Sequence, residues 1–159
     1  QASASSCRAR APLLSAVDTA TATGASAMPL SRVAVEPGDR VEAGEVLAEA
    51  HNLVETTHDP TAHAEMLVIR EAAATRGEAR LPDCELFVTL EPCPMCAQAI
   101  SFARLKRVTF AAYDPKGGGV EHGARVFARA TCHHVPEIIG GVGEQAAGDL
   151  LRRFFGDRR

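Results

Sequence analysis

Two short strings restrict this chain more than anything else in it: His63-Ala64-Glu65, and further along Pro92-Cys93-Pro94-Met95-Cys96. Together they offer one imidazole, two thiols and one carboxylate. Zinc binds thiolate and imidazole at about 2.0–2.3 Å; structural sites use four protein ligands, whereas catalytic sites use three and keep a position for water. Three ligands, His63, Cys93 and Cys96, therefore predict an open zinc position, and an open position implies chemistry.

Local physics supports the pairing. Cys93 and Cys96 are three apart, so on one helical turn both sulfurs face the same side. Pro94 is suited to the first turn of a helix, where its missing N–H costs nothing. The spacing predicts that the CxxC pair opens a helix whose free N–H groups and positive dipole end favour thiolate. Upstream, Asp59 reads as a cap with Pro60 in the first turn of a helix over 62–76, which brings a second helix start to the same ion. On a helix of about 3.6 residues per turn, Glu65 points about 200° away from His63, so it is read as a proton carrier and not a ligand. Bound zinc lowers the pKa of water from about 15.7 to about 7, and a carboxylate beside it can move the released proton.

A fully structural zinc site would need a fourth ligand. Cys84 lies up to about 30 Å from Cys93 if the stretch between is extended, by strand rise. Cys132, His133 and His134 remain open by spacing, with a strand start carrying solvated or packed side chains as the plainer reading. Cys7 reads as a bystander.

At 159 residues the chain is the size of one domain able to bury a core, and no run of 18 apolar residues exists to span a membrane. Five cysteines, two of them in a metal motif, argue against a disulfide framework and for a reducing compartment. Net charge is −3, which by itself disfavours nucleic acid, yet basic side chains cluster at Arg104, Lys106, Arg107 and again at Arg152, Arg153, Arg158, Arg159 around Phe154 and Phe155.

Residues 1–32 are rich in Ala, Ser and Thr, begin with Gln, and read as a weakly structured segment of transit-peptide-like composition. A poor helix is expected over 13–22. Strands are expected at 33–35 and 45–50, joined around Pro37-Gly38-Asp39, and at 85–90, 107–112 and 135–139. Helices are expected over 62–76, apolar on several sides, from Pro94 to about residue 103, and over 144–155. Strand, helix, strand implies a parallel crossover, and the whole reads as a single domain over 33–159, a three-layer α/β/α sandwich around a mixed five-stranded sheet. Gly117-Gly118-Gly119 is a loop without the Lys-Ser/Thr of a phosphate cradle. The stretch 35–47 looks like a biotinyl or lipoyl carrier hairpin, but the chain's only lysines are Lys106 and Lys116, so it carries no attachment site.

From about residue 47 to 158 the chain resembles bacterial and organellar tRNA-specific adenosine deaminases, a branch of the cytidine deaminase-like superfamily. The matching stretches are His51-Asn52, HDPTAHAE ending at Glu65, TLEPCPMC ending at Cys96, Asp114-Pro115-Lys116 and Phe154-Phe155. The pairing of HxE with PCxxC is the signature of zinc-dependent base deaminases. The resemblance implies conversion of a wobble adenosine to inosine by a homodimer that binds the tRNA anticodon loop. It implies Zn²⁺ on His63, Cys93 and Cys96, with Glu65 as catalytic proton shuttle. Asn52 and the backbone N–H of Ala64 would contact the base, Asp114 would line the nucleotide channel, and Arg152, Arg153, Phe154 and Phe155 would meet RNA. Such an enzyme would be cytoplasmic, or organellar if residues 1–32 are a transit remnant. The chain departs from the family at Pro29-Leu30-Ser31-Arg32-Val33, where members carry Pro-Val-Gly-Ala-Val; the larger residues are expected to crowd the base or unpair the first strand. Two other functions fit the motifs: deamination of free nucleobases or nucleosides such as guanine or cytosine, and a noncatalytic zinc-stabilised RNA-binding subunit.

Overall fold

A computed structural model of the chain describes residues 30–35 and 46–156, with 30–35 and 155 described by backbone alone. Cys7, the helix expected over 13–22, the turn at Pro37-Gly38-Asp39, most of the carrier-like stretch, Arg158 and Arg159 lie outside the described residues.

Among the described residues, five strands form one mixed sheet in the order β2-β1-β3-β4-β5. Strand β1 (Leu30–Val35) runs antiparallel to both β2 (Val46–His51) and β3 (Cys84–Leu90). Strands β3 and β4 (Arg107–Ala112) are parallel, as are β4 and β5 (Glu137–Ile139). Parallel neighbours need a crossover. Helix α3 (Pro94–Ala103) supplies the one between β3 and β4; α1 (Val54–Thr57), α2 (Ala64–Arg76) and α4 (Glu144–Gly156) complete the α/β/α arrangement.

The first strand is a correction to the sequence reading. It begins at Leu30 and not Val33, and Ser31 and Arg32 pair with Ala50 and Glu49 on one side and Val88 and Phe87 on the other. Backbone hydrogen bonds are indifferent to the lost glycine, so the strand is not unpaired. Its register also fixes direction: Val35 lies beside Cys84, whereas Leu30 lies beside His51.

Side-chain periodicity explains the core. Leu86, Val108 and Phe110 alternate along β3 and β4 and are fully buried against Val68 and Ala72 of α2 and Ala97 and Ile100 of α3. Helix α2 buries Ala64, Val68 and Ala72 fully along one stripe, with Ile69 packed half-buried against the same core and Met66 and Leu67 also half-buried. Gly77, at φ 66°, ends it, with the N–H groups of Gly77 and Glu78 bonding the Ala74 and Ala73 carbonyls. Helix α4 closes on the end of β4 through a separate cluster of Ala112, Ala147 and Leu151 with Leu90 and Ala111. Strand β5 is shorter than expected because Pro136 has no N–H for the ladder and Val135 is exposed.

Candidate active site and metal centre

Helix α2 starts later than its sequence predicts. Asp59 does not cap it; its carboxylate accepts the N–H and hydroxyl of Thr61 at 2.8 and 2.7 Å and closes a separate turn, while Leu53 N–H bonds the Ala62 carbonyl at 3.0 Å. Those bonds hold Asp59 below the usual carboxylate range. The turn leaves His63 as the extended residue at the helix N-cap (φ −67°, ψ 148°). Cys93 stands in the same position on α3, at φ −68° and ψ 169°, followed by Pro94. Two helix starts thus present one ligand each at their caps, and Cys96 adds a third from the first turn of α3.

The three donor atoms lie within 4.8 Å of one another, and His63 Nδ1 is 3.6 Å from both Cys93 Sγ and Cys96 Sγ. A tetrahedral ion with bonds of about 2.3 Å to sulfur and about 2.0 Å to nitrogen requires an N···S edge of about 3.5 Å, within about 0.1 Å of what is found. The donor set fits zinc in both chemistry and size. Electrostatics agree: hydrogen bonding from the Cys96 thiol draws Cys93 down to about 5, while the same bond, burial and the neighbouring Glu65 push Cys96 up. A dication is what allows both sulfurs to ionise.

Glu65 lies in the first turn of α2. Because His63 is extended and not helical, the angular argument that sent the two side chains apart does not apply. The Glu65 carboxyl sits against Cys96, Cys93 and His63, deep among protein atoms yet with part of its surface open to solvent. Lost hydration raises its pKa and the Cys93 charge adds to this, opposed by its own backbone N–H, His63 and Cys96. A carboxyl whose pKa is raised in this way holds a proton more readily than a free one, as a group that takes and returns protons must.

Among the described residues, no fourth ligand joins the cluster. Cys132 and His134 bond Ser101 and the Leu105 carbonyl, and the His133 ring packs near Phe102, all at the C-terminal end of α3. That is the length of a ten-residue helix away from Cys93, about 15 Å. Cys84 starts β3, buried beside Asp83, with burial lifting its thiol to about 12.

The other expected site residues separate. Ala64 is the first helical residue of α2, and since the first intrahelical bond runs from Leu67 N–H to the His63 carbonyl, the Ala64 N–H has no acceptor inside the helix. Asn52 Oδ1 accepts the Val54 N–H at 3.0 Å, which leaves its NH₂ to donate. Asp114 organises its own loop, accepting the N–H groups of Lys116 and Gly117 at 3.1 and 2.9 Å. Arg107 is not part of a basic surface: it ties β3, β4 and β5 together through Glu85 at 2.6 Å and Glu137 at 2.8 Å. On α4, Arg152 is exposed and pairs with Asp149, whereas Phe154 is buried at 7% exposure. Phe154 is therefore a packing residue and leaves the expected RNA-contact set.

Sequence reasoning missed Glu91. It is 2% exposed, and its Oε1 accepts the N–H groups of Val120, Glu121 and His122 at 3.2, 2.9 and 2.9 Å. Its Oε2 accepts the Asp114 N–H at 3.1 Å and His122 Nδ1 at 2.8 Å. Burial opposes its charge, but these bonds outweigh burial and hold the pKa low. The available signal was an acid at the end of an apolar strand, directly before the metal motif, where an unpaired charge would be costly.

The cytidine and deoxycytidylate deaminase zinc-binding region matches residues 16–112. The tRNA-specific adenosine deaminase of Agrobacterium fabrum is 50% identical over 116 residues, 73% of this chain and 76% of that protein. The chain belongs to the tRNA-specific adenosine deaminase family. A second member, from Bacillus subtilis, is 46% identical over 116 residues, 73% of this chain and 72% of that protein. A solved structure from a study of A-to-I editing by tRNA:A34 deaminases is 46% identical, with a TM-score of 0.65 over 71% of this chain and 82% of that one. The guanine deaminase of Nitrosomonas europaea, 21% identical with a TM-score of 0.65 over 80% of this chain and 72% of that chain, shares the fold. The zinc-binding region of the family is the part that contains the His63, Cys93 and Cys96 cluster.

Proposed function

We propose that this chain is a zinc-dependent hydrolase that converts adenosine to inosine at the wobble position of a tRNA anticodon. The observation that carries the reading is the 3.6 Å placement of His63 Nδ1 from both sulfurs with the Glu65 carboxyl against them. His63, Cys93 and Cys96 would hold the ion, and zinc bound there supplies the Lewis acidity that makes water a nucleophile near neutral pH. Glu65 moves the protons. It accepts one as water adds to the amidine carbon of the purine and delivers it to the adjacent ring nitrogen. It then carries the second to the departing amine, so that adenosine and water become inosine and ammonia.

Asn52 and the N–H of Ala64 orient the base, one through its NH₂ and the other through a helix-start N–H with no internal acceptor. Asp114 shapes the nucleotide channel through the loop that it folds. Arg152, Arg153 and Phe155 would meet RNA from α4. Acting on an anticodon loop suits this chemistry, because a single-stranded base leaves its stack at low cost. The working form is taken to be a homodimer that binds the anticodon loop across both subunits. Among the described residues, no helix is long and apolar enough to cross a membrane. A tRNA-modifying enzyme works where its substrate is, in the cytoplasm, or in an organelle if residues 1–32 are a transit remnant.

Inosine formation on an anticodon stem-loop, measured beside ammonia release from free guanine, cytosine and adenosine, tests the reading. Activity confined to free bases would replace the substrate. Zinc binding with no ammonia release from any substrate would favour a noncatalytic RNA-binding subunit. Sedimentation of the zinc-loaded protein, with and without the stem-loop, tests the dimer.

A further inference from the structure

Cys93 sits between two prolines, and that affects how its position is held. Pro92 and Pro94 have no N–H to donate, so the backbone around the ligand is anchored almost entirely through carbonyls. The Cys93 carbonyl takes the Ala97 N–H of α3 at 2.8 Å, and the Pro92 carbonyl takes the N–H of Gly119 at 2.8 Å. Gly119 also lies against the Cys93–Pro94 peptide: a Cβ there would fall 2.5 Å from Pro94 N, 2.6 Å from Pro94 Cα and 2.7 Å from the Cys93 carbonyl carbon. All three are backbone atoms that cannot swing aside. Behind it, the Gly119 carbonyl accepts the Val126 N–H at 2.8 Å, and the loop from Asp114 to His122 is gathered onto the Glu91 carboxylate one residue before Pro92. Gly118 is equally close, its Cβ position lying 2.6 Å from the Glu91 carboxyl carbon and 2.5 Å from the Asp114 carbonyl oxygen.

We propose that this loop is a buttress for the metal centre, and that Gly119 and Glu91 are positioning residues that set where Cys93 presents its sulfur. The inference rests on His63, Cys93 and Cys96 being the zinc ligands. Neither positioning residue supplies a donor atom to the cluster. They act as outer-shell partners do, by fixing a ligand's backbone, and loss of such partners costs about 10–100-fold in metal affinity.

The test measures zinc affinity by competition with a chromophoric chelator, alongside circular dichroism and thermal unfolding, in the full chain. Gly119→Ala forces the Cys93–Pro94 peptide to move. Glu91→Gln places an NH₂ against the Asp114 N–H and the His122 ring while keeping the other oxygen. Both are expected to weaken zinc about 10–100-fold with the fold retained, and excess zinc should restore deamination. Gly143→Ala is the control: at φ 73°, with nothing near its Cβ position, it should lower Tm and leave zinc affinity unchanged. If Gly119→Ala does not fold, Glu91→Gln decides. Folded variants that bind zinc within twofold of the parent would overturn the buttress, while loss of zinc in Cys93→Ser would keep the ligand assignment standing. Unchanged zinc binding in Cys93→Ser would overturn both.

Discussion

Helix α4 carries two kinds of residue that its sequence places side by side, and substitution should separate them. Ala147, Leu151 and Phe154 fall on one stripe at spacings of four and three and are buried, while Arg152 and Arg153 point outward. Truncating a buried Phe costs about 3–5 kcal/mol. Phe154 lies near the end of its helix, where the chain can relax, so Phe154→Ala should fall at the lower end, about 3 kcal/mol. For a domain of this size each kcal/mol shifts Tm by about 2–4 °C, so a fall of about 6–12 °C is expected. Changing Arg152 and Arg153 together to Ala breaks only an exposed pair with Asp149 and a long bond to its carbonyl, a loss below about 1 kcal/mol. That double variant should instead weaken binding of an anticodon stem-loop and reduce the salt slope by up to about 1.4, at about 0.7 per single-strand phosphate contact. Thermal unfolding and fluorescence anisotropy over a salt series measure both quantities on both proteins. If Phe154→Ala keeps its Tm within about 2 °C, a shift of under about 1 kcal/mol, yet loses RNA binding, the ring reads RNA and its assignment to the core is wrong.

Three more expectations follow from the site. Glu65→Gln keeps the side-chain volume but cannot shuttle protons, so single-turnover inosine formation should drop at least about 10²–10⁴-fold with zinc still bound; a rate within tenfold of the parent would remove Glu65 from the chemistry. Cys84 makes alkaline stability fall. Its thiol is held up to about 12 by burial, so above about pH 9 the unfolded chain releases a proton that the folded one keeps, and stability declines by about 1.4 kcal/mol per pH unit. Cys84→Ala should lack that decline, and parallel slopes in denaturant titrations from pH 8 to 10.5 would contradict it. Cys93, drawn down to about 5 when no metal shields it, should alkylate rapidly with iodoacetamide at pH 7 after chelation and slowly once zinc is restored; mass mapping of the modified cysteine checks this.

Much of this centre was legible because its constraints are local. A CxxC pair with proline after the first cysteine specifies a helix start by itself, and Cys93 and Pro94 occupy that start. The strands expected at 85–90 and 107–112 announced themselves through β-branched and aromatic residues, and the crossover between them followed. The misreadings came where a side chain had two local uses. Asp59 could cap a helix or close its own turn, and the Thr61 hydroxyl tipped it to the turn. Phe154 beside two arginines looked like an RNA tail, since a thirteen-residue helix reveals its buried stripe only when the sheet face that it covers is known. Glu91 and Gly119 were hard to read for a different reason: Glu91 precedes α3 and β4 while Gly119 and the rest of the loop that meets it follow them, and no periodicity or spacing rule reaches that far.

The register of the first strand has a practical consequence. Val35 and Val46, the points where the chain leaves β1 and enters β2, stand at the Cys84 end of the sheet, whereas Leu30, His51 and the Leu90 end that leads into Cys93 share the opposite end. A fluorophore tag or affinity handle spliced between Val35 and Val46 would therefore leave and rejoin the sheet at the end away from Cys93.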